Sequence, residues 1–210
     1  MHPEFERLQQ RYPDLGDTVP SVQAAYQILS ATFHAGGKLL ICGNGGSAAD
    51  SDHIVGELMK GFELPRPIDE ELRQRLTRFD VKRGAYLASR LQKALPAISL
   101  SGHAALSTAI SNDTAGDMVY AQQVLGYGRA GDTLIGISTS GHSANVLNAL
   151  HVASALEMHT IGLTGQSGGK MRDLCEVTIC APSQRTLEIQ ERHLAIYHAL
   201  CIALEQEFFG

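Results

Sequence analysis

Lys38-Leu-Leu-Ile-Cys-Gly-Asn-Gly-Gly-Ser47 is the stretch that decides the fold. A short continuous apolar run ends in a glycine turn, and Ser47 then caps a helix carrying Ala48 to Lys60. The same order of strand, small-residue loop and helix returns at Thr133 to Ile137, Ser138-Thr-Ser-Gly-His-Ser143 and Ala144 to about Leu156. It returns more weakly at Thr160 to Thr164, Gly165-Gln-Ser-Gly-Gly169 and Lys170 to Leu174. Further strands are expected at Ala97 to Leu100 and Val177 to Cys180, and a last long helix from Leu187 to Phe208. Continuous apolar strands alternating with helices predict an α/β fold: a central parallel sheet with helices on both faces, a flavodoxin-like three-layer α/β/α arrangement.

Outward from this frame, Val22, Ala25, Tyr26, Leu29 and Phe33 recur at helical spacing, so the first forty residues read as one long N-terminal helix stopped by Gly36-Gly37. The proline-bracketed stretch between Pro65 and Pro96 reads as a helical insertion at about residues 66–95, with helices at Ile68 to Phe79 and Gly84 to Lys93. Its basic residues, Arg66 to Arg83, alternate with Glu and Asp and are expected to form a solvated helix face. A chain of 210 residues with 44% hydrophobic content suits one compact domain spanning residues 1–210.

Composition narrows the function. A formal charge of -5 supplies no basic field for a nucleic-acid backbone. No apolar run reaches the length of a membrane span, and the acidic N-terminus lacks the order of a secretory signal, so a cytoplasmic protein is expected. Cys42, Cys175, Cys180 and Cys201 show no CxxC spacing and are expected to be reduced thiols rather than disulfides or a thiolate zinc site.

The two glycine- and serine-rich loops carry the chemistry. Each puts unpaired backbone N–H groups at a helix start, where the helix dipole attracts an anion, and Ser138, Ser140 and Ser143 add hydroxyl donors. Loops at the carboxyl ends of neighbouring parallel strands face one crevice, which suits a phosphate bearing a polyol. Gly43-Asn-Gly-Gly-Ser47 lacks the lysine of a P-loop and the third glycine of a dinucleotide fingerprint, which disfavours ATP and NAD.

Behind the first loop, His53 and Glu57 are four apart and share a helix face. Gln190, His193 and His198 interrupt the apolar stripe of the last helix. Gln190 and His198, eight apart, differ by about 80° around and ~12 Å along an ideal helix, so they meet one small ligand only by leaning together.

Gly43 to Glu57, Asn112-Asp113, Gly136 to Val146, Leu163 to Met171 and Ile189-Gln-Glu-Arg-His193 with His198 together resemble the sugar isomerase (SIS) domain family, and within it the bacterial phosphoheptose isomerases. The resemblance covers nearly the whole chain outside Pro65 to Pro96. It implies an aldose-ketose isomerase acting on sedoheptulose 7-phosphate through an enediol. Glu57 and His198 would move protons. Asn44, Gly45, Gly46, Ser47, Asn112, Asp113, Ser138, Thr139, Ser140, Ser143 and Gln190 would bind substrate. His53, Glu57, Gln190 and His198 would surround a zinc ion, in a homotetramer whose sites draw on adjacent subunits. The chain departs from the family pattern at His142, where Asn is usual, and at Leu187 and Glu188, which replace more polar or basic residues. Those departures leave open an isomerase of another sugar phosphate. Relatives of this fold also include non-catalytic phosphosugar sensors and replication-initiator-binding proteins. Retention of both His53 and Glu57 favours catalysis over that class.

Overall fold

A computed structural model describes all 210 residues. The sheet has five parallel strands in the order β2-β1-β3-β4-β5: β1 Leu39–Gly43, β2 Ala97–Ser99, β3 Thr133–Ser138, β4 His159–Thr164 and β5 Val177–Cys180. This is the doubly wound, flavodoxin-like order, with the chain reversing direction of travel between β1 and β3. In register, Gly43 lies opposite Ile137, so the loops after β1 and β3 leave the sheet side by side.

Nine α-helices cover the sheet: α1 Pro3–Arg11, α2 Val19–His34, α3 Gly46–Met59, α4 Glu70–Phe79, α5 Val81–Ala88, α6 Ala104–Asp113, α7 Val119–Tyr127, α8 Ala144–Ala155 and α9 Thr186–Phe209. Side-chain alternation sorts the core into two layers. Leu39, Ile41, Ile135, Ile137, Ile161 and Leu163 pack under α1, α2, α3 and α9. Leu40, Cys42 and Leu134 pack under α7 and α8. Each such side chain contributes about 1.5–3 kcal/mol by leaving water.

Several expectations need correction. The N-terminal region is not one helix: α1 ends at Arg11, and Pro13 begins a 3-10 segment, Pro13–Thr18, before α2. Pro13 has no N–H to continue an α-helical ladder, so the break sits where the chemistry puts it. Arg66 is not on a solvated face either. It is 1% exposed and its guanidinium pairs with Glu205, a long-range partner that no local pattern announces. The other basic residues of the run, Arg73, Arg75, Arg78, Lys82 and Arg83, are exposed as expected, and α4 buries no residue, while Ile68, Ala88 and Leu95 anchor the insertion to the core. The Lys170 region forms a 3-10 turn, Gly169–Asp173, instead of a helix. All four cysteines are free. No helix is long and apolar enough to cross a membrane.

Candidate active site

The β1–α3 loop turns at Gly45, whose φ of +56° suits a residue without a side chain. Its partner is the β3–α8 loop, held across the gap by a reciprocal amide pair. Asn44 Nδ2 donates to Asn145 Oδ1 at 2.9 Å, and Asn145 Nδ2 donates to Asn44 Oδ1 at 2.8 Å. The Tyr120 hydroxyl donates to the Gly43 carbonyl and so props the first loop from below. Within the second loop, the Ser138 hydroxyl lies 2.9 Å from that of Ser143 and 3.4 Å from that of Ser140, and the His142 backbone N–H donates to Ser140 Oγ. Three hydroxyls and two helix N-termini thus face one space, the donor set an anion needs.

A cleft of about 340 Å³ continues from this cradle between Thr139, Ser140, Gly165, Gln166, Ser183 and Ile189. A larger cleft of about 510 Å³ lies at the β5 edge near Asp17, Arg172 and Cys180. Its mixed charges carry no convergent donor set, so size does not pick the site.

Glu188 and Leu187, the two departures at the start of α9, precede Ile189, which lines the smaller cleft. Glu188 accepts from the Ser183 hydroxyl at 2.7 Å and from Arg185 at 2.7 Å, while Leu187 is 62% exposed. The Ser183 hydrogen bond, with the Arg185 charge beside it, holds the Glu188 carboxyl below its ordinary range. His142 projects into solvent at the tip of the second loop.

Two turns along α3, His53 Nε2 stands 3.2 Å from Glu57 Oε1, and Lys60 Nζ stands 3.1 Å from Glu57 Oε2. The other ring nitrogen of His53 pairs with the Tyr197 hydroxyl at 2.8 Å, and that hydroxyl reaches Asp50 Oδ1 at 3.4 Å. Burial pushes the Asp50 carboxyl up, against the opposing pull of Tyr197 and His53. The His198 ring meets the His53 ring at right angles with centroids 5.0 Å apart, and Phe62 covers it at 5.3 Å. His198 Nε2 is buried with no hydrogen-bond partner. Burial, then the neighbouring His53, lowers the His198 pKa, against the pull of Glu57, so the ring is neutral at neutral pH.

His53, Glu57 and His198 therefore come together as expected, and Gln190 does not join them. A Cβ built on Gly46 would lie 3.1 Å from the Gln190 amide carbon, which places Gln190 at the phosphate-loop end of α3. α3 and α9 run side by side in the same sense, so the eight residues between Gln190 and His198 become a separation along the site. No three or more His, Cys, Asp or Glu side chains form a ready metal group. Asn112 and Asp113 are exposed at the end of α6 and bond to each other, with no bond to either loop. Asn145, Tyr197, Asp50 and Lys60 join the site although the sequence reading does not expect them. Asp50 and Lys60 sit one helical turn either side of the His53–Glu57 pair, and that spacing is the signal by which they can be found.

His193 is a structural residue. It is fully buried, and its Nε2 donates to the Thr164 carbonyl at 3.1 Å, tying α9 to the end of β4. Burial pulls its pKa down to about 4, with the Thr164 bond opposing. The sign follows from linkage: between about pH 6.5 and pH 4 the unfolded chain binds a proton that the native chain refuses, so stability falls as pH falls. The loss should approach about 3 kcal/mol by pH 4 from this residue alone. Urea unfolding at a series of pH values should show it in the wild type, and His193→Gln should flatten the curve over that window; an equally steep curve in the variant counts against the assignment.

The family model for the SIS domain matches residues 15–78 and 81–165. The chain belongs to the SIS-domain family. Among SIS-domain relatives, phosphoheptose isomerase of Rhodospirillum rubrum is 39% identical over 91% of this chain and 88% of its own length. The solved phosphoheptose isomerase of Neisseria gonorrhoeae superposes with a TM-score of 0.74 at 34% identity, covering 97% of this chain and 94% of that one. That of Francisella tularensis gives 0.77 at 31% identity, covering 95% and 92%. The β1–α3 and β3–α8 loops, His53 and Glu57 all fall within the residues that the SIS-domain model matches.

Proposed function

We propose that the chain is a phosphoheptose isomerase, interconverting sedoheptulose 7-phosphate and D-glycero-D-manno-heptose 7-phosphate in the formation of heptose precursors for surface polysaccharide. The observation that carries this reading is a carboxyl group, Glu57, and an imidazole, His198, grouped around His53 two helical turns from the double-loop cradle. The cradle would fix the phosphate end, and the polyol would run from it along α3 toward Glu57 and His198.

Glu57 takes a proton from C1 of the ketose, the C–H electron pair becomes the C1–C2 double bond, and the C2 carbonyl pair moves onto O2 as an enediolate. His198 transfers the proton between the two oxygens, from O1 to O2. Glu57 then returns its proton to C2, and the O1 carbonyl forms. Asn44, Ser47, Ser138, Thr139, Ser140, Ser143 and Gln190 hold the phosphate and hydroxyls, with Asn112 and Asp113 as substrate ligands at the end of α6.

Zinc belongs to the reading as a proposal. His53 Nε2 and Glu57 Oε1, 3.2 Å apart, have the separation of two donors on one tetrahedral ion, about 3.3 Å. The Tyr197 hydroxyl on the far nitrogen of His53 is the outer-shell partner such a ligand takes. His198 offers an unpartnered nitrogen beside them, and Gln190 would complete the set by leaning from its place at Gly46. A bound zinc ion would act as a Lewis acid on the enediolate oxygens. The tetramer and the cytoplasmic location are carried over from the family in the same way.

Purified protein given sedoheptulose 7-phosphate should yield the aldose phosphate, followed by chromatography, with slower turnover of pentose and hexose ketose phosphates. No turnover with or without added zinc overturns the isomerase reading, and preference for another ketose overturns the substrate. Elemental analysis should find zinc in the wild type and none in His53→Ala; an equal content in both removes His53 from the metal site.

A further inference from the structure

Glu205 lies on α9 seven residues beyond His198, two turns along the same helix face. Its carboxylate accepts the backbone N–H groups of Phe62, Glu63 and Leu64 at 2.8, 2.7 and 3.0 Å. It also accepts Arg66 Nε at 2.7 Å, and neither side chain has any exposure. The rest of the Arg66 guanidinium closes the end of α3: Nη1 donates to the Leu58 carbonyl at 2.7 Å and Nη2 to the Glu57 carbonyl at 3.0 Å. Phe209 packs on its face at 4.6 Å. Burial pushes the Glu205 carboxyl up, but the three backbone donors and Arg66 together outweigh it and hold it below its ordinary range.

A buried ion pair is a poor source of net stability, because desolvating two charges consumes most of their attraction and an apolar pair of similar size often does as well. What this pair does supply is registration. Through Glu57 and Leu58 it grips the helix that carries the proposed base. Through the Phe62 N–H it grips the residue whose ring covers His198. Through Glu205 it joins both to the helix that carries His198. We infer that Arg66 and Glu205 are positioning residues for proton transfer, setting the Glu57 end of α3 and the Phe62 cover against His198. The arm of α4 and α5 hangs from the same point, since Lys93 N–H donates to the Arg66 carbonyl at 2.7 Å and Leu95 N–H to the Leu58 carbonyl at 3.0 Å.

The inference rests on the proton-transfer roles given to Glu57 and His198, and its test separates the two. Wild type, Arg66→Met, Arg66→Lys and Glu205→Gln should be compared as full-length folded protein, with the folded fraction read by circular dichroism at the assay temperature. Per folded molecule, Arg66→Met should lose about 10- to 100-fold in kcat with KM for sedoheptulose 7-phosphate nearly unchanged, the scale expected for misplacing a reacting group by about 1 Å. Arg66→Lys should recover part of the loss, because it keeps the ion pair but cannot serve both carbonyls. The His198 ring proton resonance should also move in Arg66→Met, as Phe62 shifts over it, with or without substrate. If Arg66→Met does not fold, Glu205→Gln, which keeps the shape and one acceptor, carries the same readouts. Variants whose kcat per folded molecule and His198 resonance match wild type overturn the positioning role. Absence of turnover in wild type itself, with the His198 resonance shifting as expected, counts against the isomerase reading alone.

Discussion

Glu57→Gln should lower kcat on sedoheptulose 7-phosphate by about 10²- to 10⁴-fold, the span associated with removing a positioned general base. The substitution keeps the shape, and it removes the ability to accept the carbon-bound proton together with the negative charge that faces His53, Lys60 and the proposed zinc. Affinity for the phosphate end should persist, because the Ser138, Ser140 and Ser143 hydroxyls and the two loop N-termini lie at the other end of α3. KM should therefore move by no more than a few-fold, the pattern of an interaction realised only in the transition state. His198→Ala should follow the same pattern, with the added loss of the ring that packs between His53 and Phe62. Steady-state kinetics paired with calorimetric titration of the sugar phosphate separates the two quantities. Turnover near wild type in Glu57→Gln removes this carboxylate from the mechanism, and loss of binding in step with turnover makes it a binding residue.

How much of this site is legible in the sequence depends on whether its parts are local. Gly45 carries its conformational chemistry within the turn, so the order of residues alone specifies the strand, the turn and the helix. The same holds for His53 and Glu57, whose four-residue spacing fixes a shared face. The expected cap is corrected, because the N-cap is Gly45 and Ser47 lies inside the first turn with no capping hydrogen bond. The relation of Gln190 to His198 is legible only as a difficulty, because which helix lies alongside α9, and in what sense, is a tertiary fact. α6 escapes a reading by periodicity for a related reason: it buries only Ile110, so no apolar stripe marks it. Arg66 is the instructive misreading. In sequence it heads a run of alternating charges, and only a partner 139 residues away turns it into a buried clasp.

Gly141→Ala should cost about 2–4 kcal/mol in stability and about 100-fold in kcat/KM, from one methyl group placed outside the catalytic group. Two separate effects add at this position. The residue sits at φ +68°, in the left-handed region that an alanine enters at a cost of about 1–2 kcal/mol. Beyond that, a Cβ there would stand 2.7 Å from the Gly168 carbonyl carbon and 2.9 Å from Gly169 Cα. Those neighbours are backbone, and they are held: Gly165 N–H donates to the Thr139 carbonyl at 3.1 Å, and Met171 N–H to the Gly141 carbonyl at 3.3 Å. Relief thus requires the second and third loops to part, which carries Ser140 and Ser143 away from Ser138 and dissolves the hydroxyl cluster. Because the harm falls on the phosphate cradle, KM should rise more than kcat falls, the reverse of the Glu57→Gln pattern. Thermal denaturation and steady-state kinetics on the one variant test both halves. A variant with normal melting and normal KM would mean that the close packing of the two glycine loops is not what holds the phosphate site together.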